Sequence, residues 1–467
     1  MSTNSPEQSR KNLNRFLAPR SIAVIGASDR PGSLGLRTMR NLEAYSGRLF
    51  PVSRRLEKIG DHRCYASMDD LPDAPDCAIL AVPAAAVEAE VEACARRGVG
   101  GCVVFASGYG ELDDAECAAA QKRLRDLAGE AGMRLLGPNT TGFANFALGA
   151  HAGFAEFPGG VADGGKGIGL VSQSGALGLA LAQSAEHGTG ISHVLTCGNS
   201  ADIEVADLVS FLTDQPEVGA IALTFEGINS PERLIEAVRN ATASGKPVAI
   251  CRVGVTPAGA SAVRWHTGTN PHVDYPWDEN LAQAGASIVR GAERLVETAA
   301  FLAKTADLAR PSAAPAVAIL SSSGGSGILA ADGATAAGVP LAVFSDETSA
   351  LLAQELPSFA SPRNPCDATA QATANPPMVT RCADILLSDP AVDCLVLPWG
   401  KAWDSGQFGA LSDLVEAHGK PICLVWMSQW LEGPGADAAE ATKRLCVFRS
   451  IAGCFSALAT WRKADSA

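Results

Sequence analysis

A chain of 467 residues is too long for one ordinary core and points to two to four domains of about 100–200 residues each. Hydrophobic residues make up 47%, charged residues 19% and aromatics only 6%, a globular profile that excludes a disordered or fibrous chain. The net charge of -13, with no long Lys/Arg run, excludes a phosphate-tracking nucleic-acid binder, so any phosphate on a ligand has to be met locally.

Thirteen cysteines occur without a CxxC pair, and Cys102, Cys251, Cys394 and Cys423 sit in apolar stretches, as reduced buried thiols do. The opening segment MSTNSPEQSRKNLNRF is polar, and no apolar run approaches the roughly 20 residues of a membrane helix. A soluble, unprocessed cytoplasmic protein without membrane contact is expected. No metal-ligand set is assigned.

In chain order, apolar runs of strand length alternate with amphipathic stretches of helix length. The runs SIAVIG (21–26), RLFPV (48–52), CAILAVP (77–83), GCVVFAS (101–107) and RLLGPN (134–139) form a first series, the pattern of parallel βαβ units. Gly- and Pro-rich sequence around 147–166 changes the register, which sets a boundary near 148. A second series follows in GIGLVSQ (167–173), SHVLTCGN (192–199), VGAIALTFEG (218–227), PVAICRVG (247–254) and SIVRG (287–291). After the linker LARPSAAP (308–315), the runs PAVAILSS, PLAVFS, DCLVLPWG and PICLVW repeat the alternation. The expected fold is α/β, with a Rossmann-like domain over 1–148 and two flavodoxin-like doubly wound domains over 149–307 and 308–467.

The first turn, GASDRPGSLG (26–35), runs from a strand into a helix starting near Leu34. Its glycines let the backbone approach a ligand, and the helix N-terminus offers free N–H groups to phosphate. The spacing is not GxGxxG, and the second strand ends in Ser53-Arg54-Arg55 rather than in an acid that would hold a ribose diol. CoA or NADP is therefore favoured over NAD, against the plainer reading of a tight turn with surface arginines. In VSQSGALG (171–178), Ser174 and Gly175 open a helix; an anion could sit there, and Ser174 reads equally as a plain N-cap. Glu226 ends the run AIALTF at a strand's carboxyl side, where open α/β sheets bind ligands, with a solvated loop carboxylate as the alternative.

His266 lies in SAVRWHTGTN, read as a loop between strand and helix, and an imidazole near neutrality can accept and release a phosphoryl group. His62, His151, His187, His193, His272 and His418 show no comparable setting. The turn SSSGGSGILAADG (321–333) offers the amides of Gly324, Gly325, Ser326 and Gly327 as a second anion site. Two helix N-termini, one histidine and one strand-end carboxylate together suit the holding of a phosphorylated imidazole.

Taken together, SIAVIGASDRPGSLG, MRLLGPNTTGFAN, GLVSQSGALG, FEGI, SAVRWHTG, SSSGGSGILAADGATAAG and NPCD (364–367) stand in the order found in the succinyl-CoA synthetase superfamily. The chain resembles, from about 14 to 460, the α subunits of NDP-forming acyl-CoA synthetases. The resemblance implies CoA binding by Gly26, Ser28, Arg30, Pro31 and Ser33, with Arg54 or Arg55 near its phosphates and Val82, Pro83, Ser107 and Gly108 beside the nucleotide. It implies phosphorylation of His266, orientation of that histidine by Glu226, and phosphate binding at Ser174–Gly175 and Gly324–Gly327. Asn139, Thr140, Asn199 and Trp265 are assigned to the acyl pocket. Trp265 replaces the family's Ser before the histidine, Thr269-Asn270-Pro271-His272 replace small residues after HTG, and Thr140 stands where GPNC has its Cys.

The implied activity is a reversible acid–CoA ligation with an acyl phosphate and a phosphohistidine on the path. A small carboxylic acid, CoA and ATP with Mg2+ are its implied reactants, the nucleotide held mainly by a separate ATP-grasp β subunit in a heterotetramer. Two other outcomes share the scaffold: a lyase that couples CoA ligation to cleavage, and a CoA-binding regulatory protein without turnover.

Overall fold

The computed structural model describes residues 6–161, 165–267, 272, 274–402 and 406–462, and leaves the side chains of 6, 7, 9, 264–267, 373 and 374 undescribed. By mutual packing the chain falls into two compact units: 1–185, 190–246 and 250–284 in the first, and 186–189, 247–249 and 285–467 in the second.

The first unit opens on a parallel five-stranded sheet in the order Arg48–Val52, Ser21–Ile25, Cys77–Leu80, Gly101–Val104, Arg134–Leu136. Ser21–Ile25 is buried along its whole length, because helices cover both faces of a parallel sheet and a continuous apolar run is what such a strand requires. The strand order reverses beside Ser21–Ile25, which puts the sheet's switch point, and hence its ligand crevice, beyond Ile25 and Leu80. Ala23, Ile25, Leu80, Val87, Val104 and Leu124 belong to the core beneath that edge.

In the same unit, the strands Val218–Phe225, Gly167–Ser172, Ile191–Thr196, Gly142–Asn145 and Ala150–Gly153 run side by side in that order as five of the strands of a seven-stranded sheet. The first three strands are parallel, and Gly142–Asn145 pairs antiparallel with both Ile191–Thr196 and Ala150–Gly153. The expected boundary at 148 falls inside the hairpin 142–153, whose turn ends on Gly149 with φ 62°. The change of register noticed at 147–166 thus begins earlier, where the chain leaves the first sheet after Leu136. Arg134 anchors this passage: its Nε lies 2.9 Å from Asp202 Oδ2, and the same carboxylate oxygen accepts from Leu135 N.

In the second unit, Cys366–Asp367, Val317–Ser321, Cys394–Trp399, Ile422–Trp426 and Cys446–Phe448 form a parallel sheet in that order. The run PLAVFS, expected as a strand, makes a single bridge from Leu341 to Val317. Asn364 explains the loss. Its side-chain oxygen accepts from Ile319 N, and its amide donates to Val317 O and Ala342 O, so a side chain occupies the hydrogen bonds that a strand ladder would have used.

Thirteen free cysteines are distributed over the chain, twelve of them buried. Among the described residues no helix is long and apolar enough to cross a membrane.

Candidate active site

At the first sheet's carboxyl edge the turn after Ile25 is compressed from two sides. A Cβ at Gly26 would lie 2.5 Å from Ala81 O, and one at Gly35 would lie 2.1 Å from Gly26 O. Side chains are excluded at both positions, so the start of the helix Leu34–Asn41 sits directly on the turn. Gly32, with φ 77°, faces open space, and Ser33 caps the helix by accepting from Leu36 N at 3.2 Å. Ser28 accepts from Arg30 N, and Arg30 and Pro31 are exposed.

Arg54 and Arg55 follow the neighbouring strand and are both exposed; Arg54 approaches Glu90 at 3.9 Å. Val82 and Pro83 close the third strand, Pro83 preceding the helix Ala84–Arg96, and Ser107 and Gly108 close the fourth. A glycine turn at a switch point, packed at Gly26 and Gly35 and open at Gly32, with exposed guanidinium groups after the adjoining strand, fits a phosphate-bearing nucleotide ligand such as CoA.

The second sheet gathers a different set. Glu226, 9% exposed, immediately follows the strand Val218–Phe225. Gln173, 3% exposed, accepts from the backbone of Glu226 at 2.9 Å and of Gly227 at 3.1 Å, while Ser174 caps the helix Gly175–Ala182 through Leu177 N. Gln173 therefore locks the carboxylate's backbone to the helix start. It was missed in the sequence, where VSQSG drew attention to its serine and glycine; its place between a strand's last residue and an N-cap is the signal that could have found it. A Cβ at Gly175 would meet Thr141 at 2.6 Å, so this corner is closely packed as well.

His266 is carried by the helix Pro257–Thr267, which corrects the expected loop. Thr256 starts this helix by accepting from Gly259 N, Pro257 suits its first position, and Ala260 and Val263 bury one face. Val253 N donates to Phe225 O at 3.0 Å, so the chain leading into the helix departs from beside Glu226. The side chains of Trp265 and His266, and residues Thr269, Asn270 and Pro271, lie outside the described residues. His272 is described, its Nε2 lying 2.9 Å from Ile228 O.

Of the acyl-pocket set, Asn139 and Asn199 meet, with Asn139 Nδ2 donating to Asn199 Oδ1 at 3.2 Å. Thr140 is 2% exposed and its hydroxyl is engaged with Thr196, 2.7 Å from the carbonyl and 2.8 Å from the hydroxyl. Its Oγ1 also accepts from Gly142 N at 3.1 Å, so the hydroxyl is used within the fold. In the second unit, Gly324 opens the helix Gly324–Ala336, and Ser323 provides no side-chain cap. Ser326 Oγ donates to Ser323 O, and Ser321 and Ser326 hydroxyls lie 2.7 Å apart.

The other histidines have ordinary settings where they are described. His193 is buried against Phe211, and burial pushes its pKa down to about 4, so it stays neutral; His418 pairs with Asp384 at 2.7 Å. Among the described residues no group of three or more His, Cys, Asp and Glu side chains could hold a metal ion.

Comparison with known proteins matches residues 20–145 to the family described as CoA binding domain and residues 165–302 to the succinyl-CoA ligase like flavodoxin domain. The α subunit of acetate–CoA ligase [ADP-forming] II from Pyrococcus furiosus is 34% identical over 92% of this chain and 93% of its own length. Acetate–CoA ligase [ADP-forming] I from Archaeoglobus fulgidus is 33% identical over 82% of the chain, which spans 54% of that longer protein. Among solved structures, the dinucleotide forming acetyl-coenzyme A synthetase 1 of Ca. Korarchaeum cryptofilum, in complex with phosphate and ADP, superposes with a TM-score of 0.82 at 27% identity, covering 96% of each chain. PH0766 from Pyrococcus horikoshii OT3 gives 0.81 at 28% identity, over 96% of this chain and 98% of its own. With a full-length relative at that identity and both family matches on the sheets that carry the candidate site, the chain belongs to the NDP-forming acyl-CoA ligases, among their α-type chains.

Proposed function

We propose that this chain is the CoA-binding, phosphohistidine-carrying α subunit of an ADP-forming acid–CoA ligase, which makes an acyl-CoA from a small carboxylic acid, CoA and ATP. One observation carries the reading: Glu226 and the capped helix start at Ser174 are locked together through Gln173, beside the chain that leads to the helix of His266.

His266 acts as the nucleophile. Its imidazole takes the γ-phosphoryl group of the nucleotide, releasing NDP, and passes it to the acid's carboxylate to give an acyl phosphate. The CoA thiolate then attacks the acyl carbon and displaces inorganic phosphate, so that acid, CoA and NTP yield acyl-CoA, NDP and phosphate. Glu226 orients the imidazole and holds its second ring proton, while the amides at the Ser174 helix start receive the anionic oxygens. The amides of Gly324, Gly325 and Ser326, which the Ser323 side chain does not cap, offer a phosphate site in the second unit at the helix start that also holds Gly327. The turn at Gly26–Ser33, with Arg54 and Arg55, binds CoA, and Asn139 and Asn199 face the acyl group. Because each step is reversible, the same residues serve the direction that makes ATP.

The partner is a separate subunit, as the relatives' α naming and the existence of longer relatives, of which this chain spans about half, support. We assign it an ATP-grasp fold that holds the nucleotide with Mg2+, in a cytoplasmic heterotetramer. The test mixes the chain with γ-labelled ATP, with and without the co-expressed partner. Acid-labile label is expected on this chain only with the partner, and none on His266→Ala, which should still bind CoA. Labelling of His266→Ala, or none on the wild type in the complete complex, would overturn the assignment.

A further inference from the structure

Two turns of the first unit, one following Gly101–Val104 and the other following Ile191–Thr196, belong to different sheets yet share one carboxylate. Glu111 accepts from the N–H groups of Gly108 and Tyr109 and from the side-chain amide of Asn199. Asn199, 7% exposed, donates as well to Gln121 Oε1 at 3.0 Å, and that oxygen also accepts from Gly110 N at 3.0 Å. On its other side Asn199 accepts from Asn139, and its own N–H donates to Pro138 O at 3.0 Å. Asn139 closes the circuit by donating its N–H to Ala106 O at 2.9 Å.

Burial pushes the Glu111 carboxyl up, but hydrogen bonds from Gly108, Asn199 and Tyr109 outweigh it and hold the group below the usual carboxylate range. An ionised acceptor facing three donors is the strong form of this contact. The loop is shaped around it: Gly108 takes φ 101°, and a Cβ at Gly110 would lie 2.6 Å from Gln121 Oε1.

We propose that Glu111 is a positioning residue that couples the CoA-side turn Ser107–Gly108 to the Asn139–Asn199 pair, holding the thioester-forming ligand and the acyl pocket in one register. The inference rests on the sites assigned under the proposed function. A mere loop staple would change stability alone, whereas a coupling residue changes CoA binding and acts on turnover through Asn199.

Glu111→Gln keeps the shape but turns an amide donor toward donors. CoA titration of the isolated chain, steady-state kinetics of the complex and CoA-free labelling of His266 by γ-labelled ATP separate the possibilities. The expected result is a CoA Kd and KM raised at least about tenfold, the scale of losing charge-assisted hydrogen bonds, a lowered kcat, and labelling unchanged. In the Asn199→Ala background the same substitution should still weaken CoA but lower kcat no further. Wild-type CoA affinity and kcat in Glu111→Gln, additive kcat losses in the double variant, or labelling lost in step with CoA affinity would each overturn the coupling. A wild-type chain that binds no CoA would overturn the reading beneath it, and the coupling with it.

Discussion

The first sheet's glycine turn and the corresponding turn of the second unit are built from the same residue types to different ends. Around Gly26 and Gly35 the glycines are consumed by packing: backbone oxygens stand 2.5 Å and 2.1 Å from where a Cβ would be, and Ser33 caps the helix. At Gly324, Gly325 and Gly327 a Cβ would find its nearest neighbour at 3.3 Å or beyond, and the Ser323 side chain caps no amide. A Gly-rich strand-to-helix turn therefore has two meanings. In the first, glycine lets two backbone segments touch; in the second, it leaves amides uncovered.

The sharpest test of site chemistry against packing is Glu226→Gln. It keeps the buried shape and should slow phosphohistidine formation and turnover by about 10²–10⁴-fold, the scale of a lost acid–base or orienting carboxylate. Wild-type rates in rapid-quench labelling would reduce Glu226 to a buried structural acid. The comparison of turns is tested directly by Gly35→Ala and Gly325→Ala. A methyl group at 35 meets backbone and should weaken CoA by tenfold or more, an energy of about 1.4 kcal/mol. At 325 the nearest atom is Ser323 Oγ, 3.9 Å away, and CoA affinity should not change. Similar losses in the two variants would erase the distinction.

A smaller effect is expected from Arg54→Ala with Arg55→Ala, which should weaken CoA more than dephospho-CoA in parallel titrations; equal losses would detach the arginines from that phosphate.

The smallest effect concerns Glu297 of the second unit, whose pKa burial pushes up to about 7, although the N–H of Arg449 donates to it. A carboxyl group raised on folding takes up a proton in the folded state. Its contribution to stability is complete below the ordinary carboxyl value and is lost as pH rises through about 7. Glu297→Gln should therefore raise the thermal midpoint relative to wild type at pH 8 and not at pH 5. Parallel curves across that range would contradict it.

The parallel sheets were legible because a strand buried on both faces must be a continuous apolar run, and SIAVI, VGAIALTF and CLVLPW are such runs. PLAVFS has the same composition but was unreadable as an exception, since the competitor for its ladder, Asn364, lies 22 residues beyond Ala342 and acts through its side chain. The helix Pro257–Thr267 was hidden for a local reason: a sequence rich in Gly, Ser and Thr reads as loop unless Thr256-Pro257 is recognised as a helix start. For the site, Glu226 and Ser174 announced themselves by standing at strand ends. Gln173 and Glu111 did not, because their importance is in the partners they hold across different sheet strands and loops.

The hairpin 142–153 carries a consequence for how such a protein can be divided. Its strand Gly142–Asn145 borders Ile191–Thr196, so the last stretch inside the expected first domain is structurally property of the next sheet. A gene fragment ending at 148 would export half a hairpin with the nucleotide-binding layer and leave its neighbour with an exposed edge strand, prone to pairing with other chains. The stretch between Leu136 and Gly142, where a cut severs no strand, holds Asn139 and Thr140 of the assigned acyl pocket, so neither position divides the two sheets without cost.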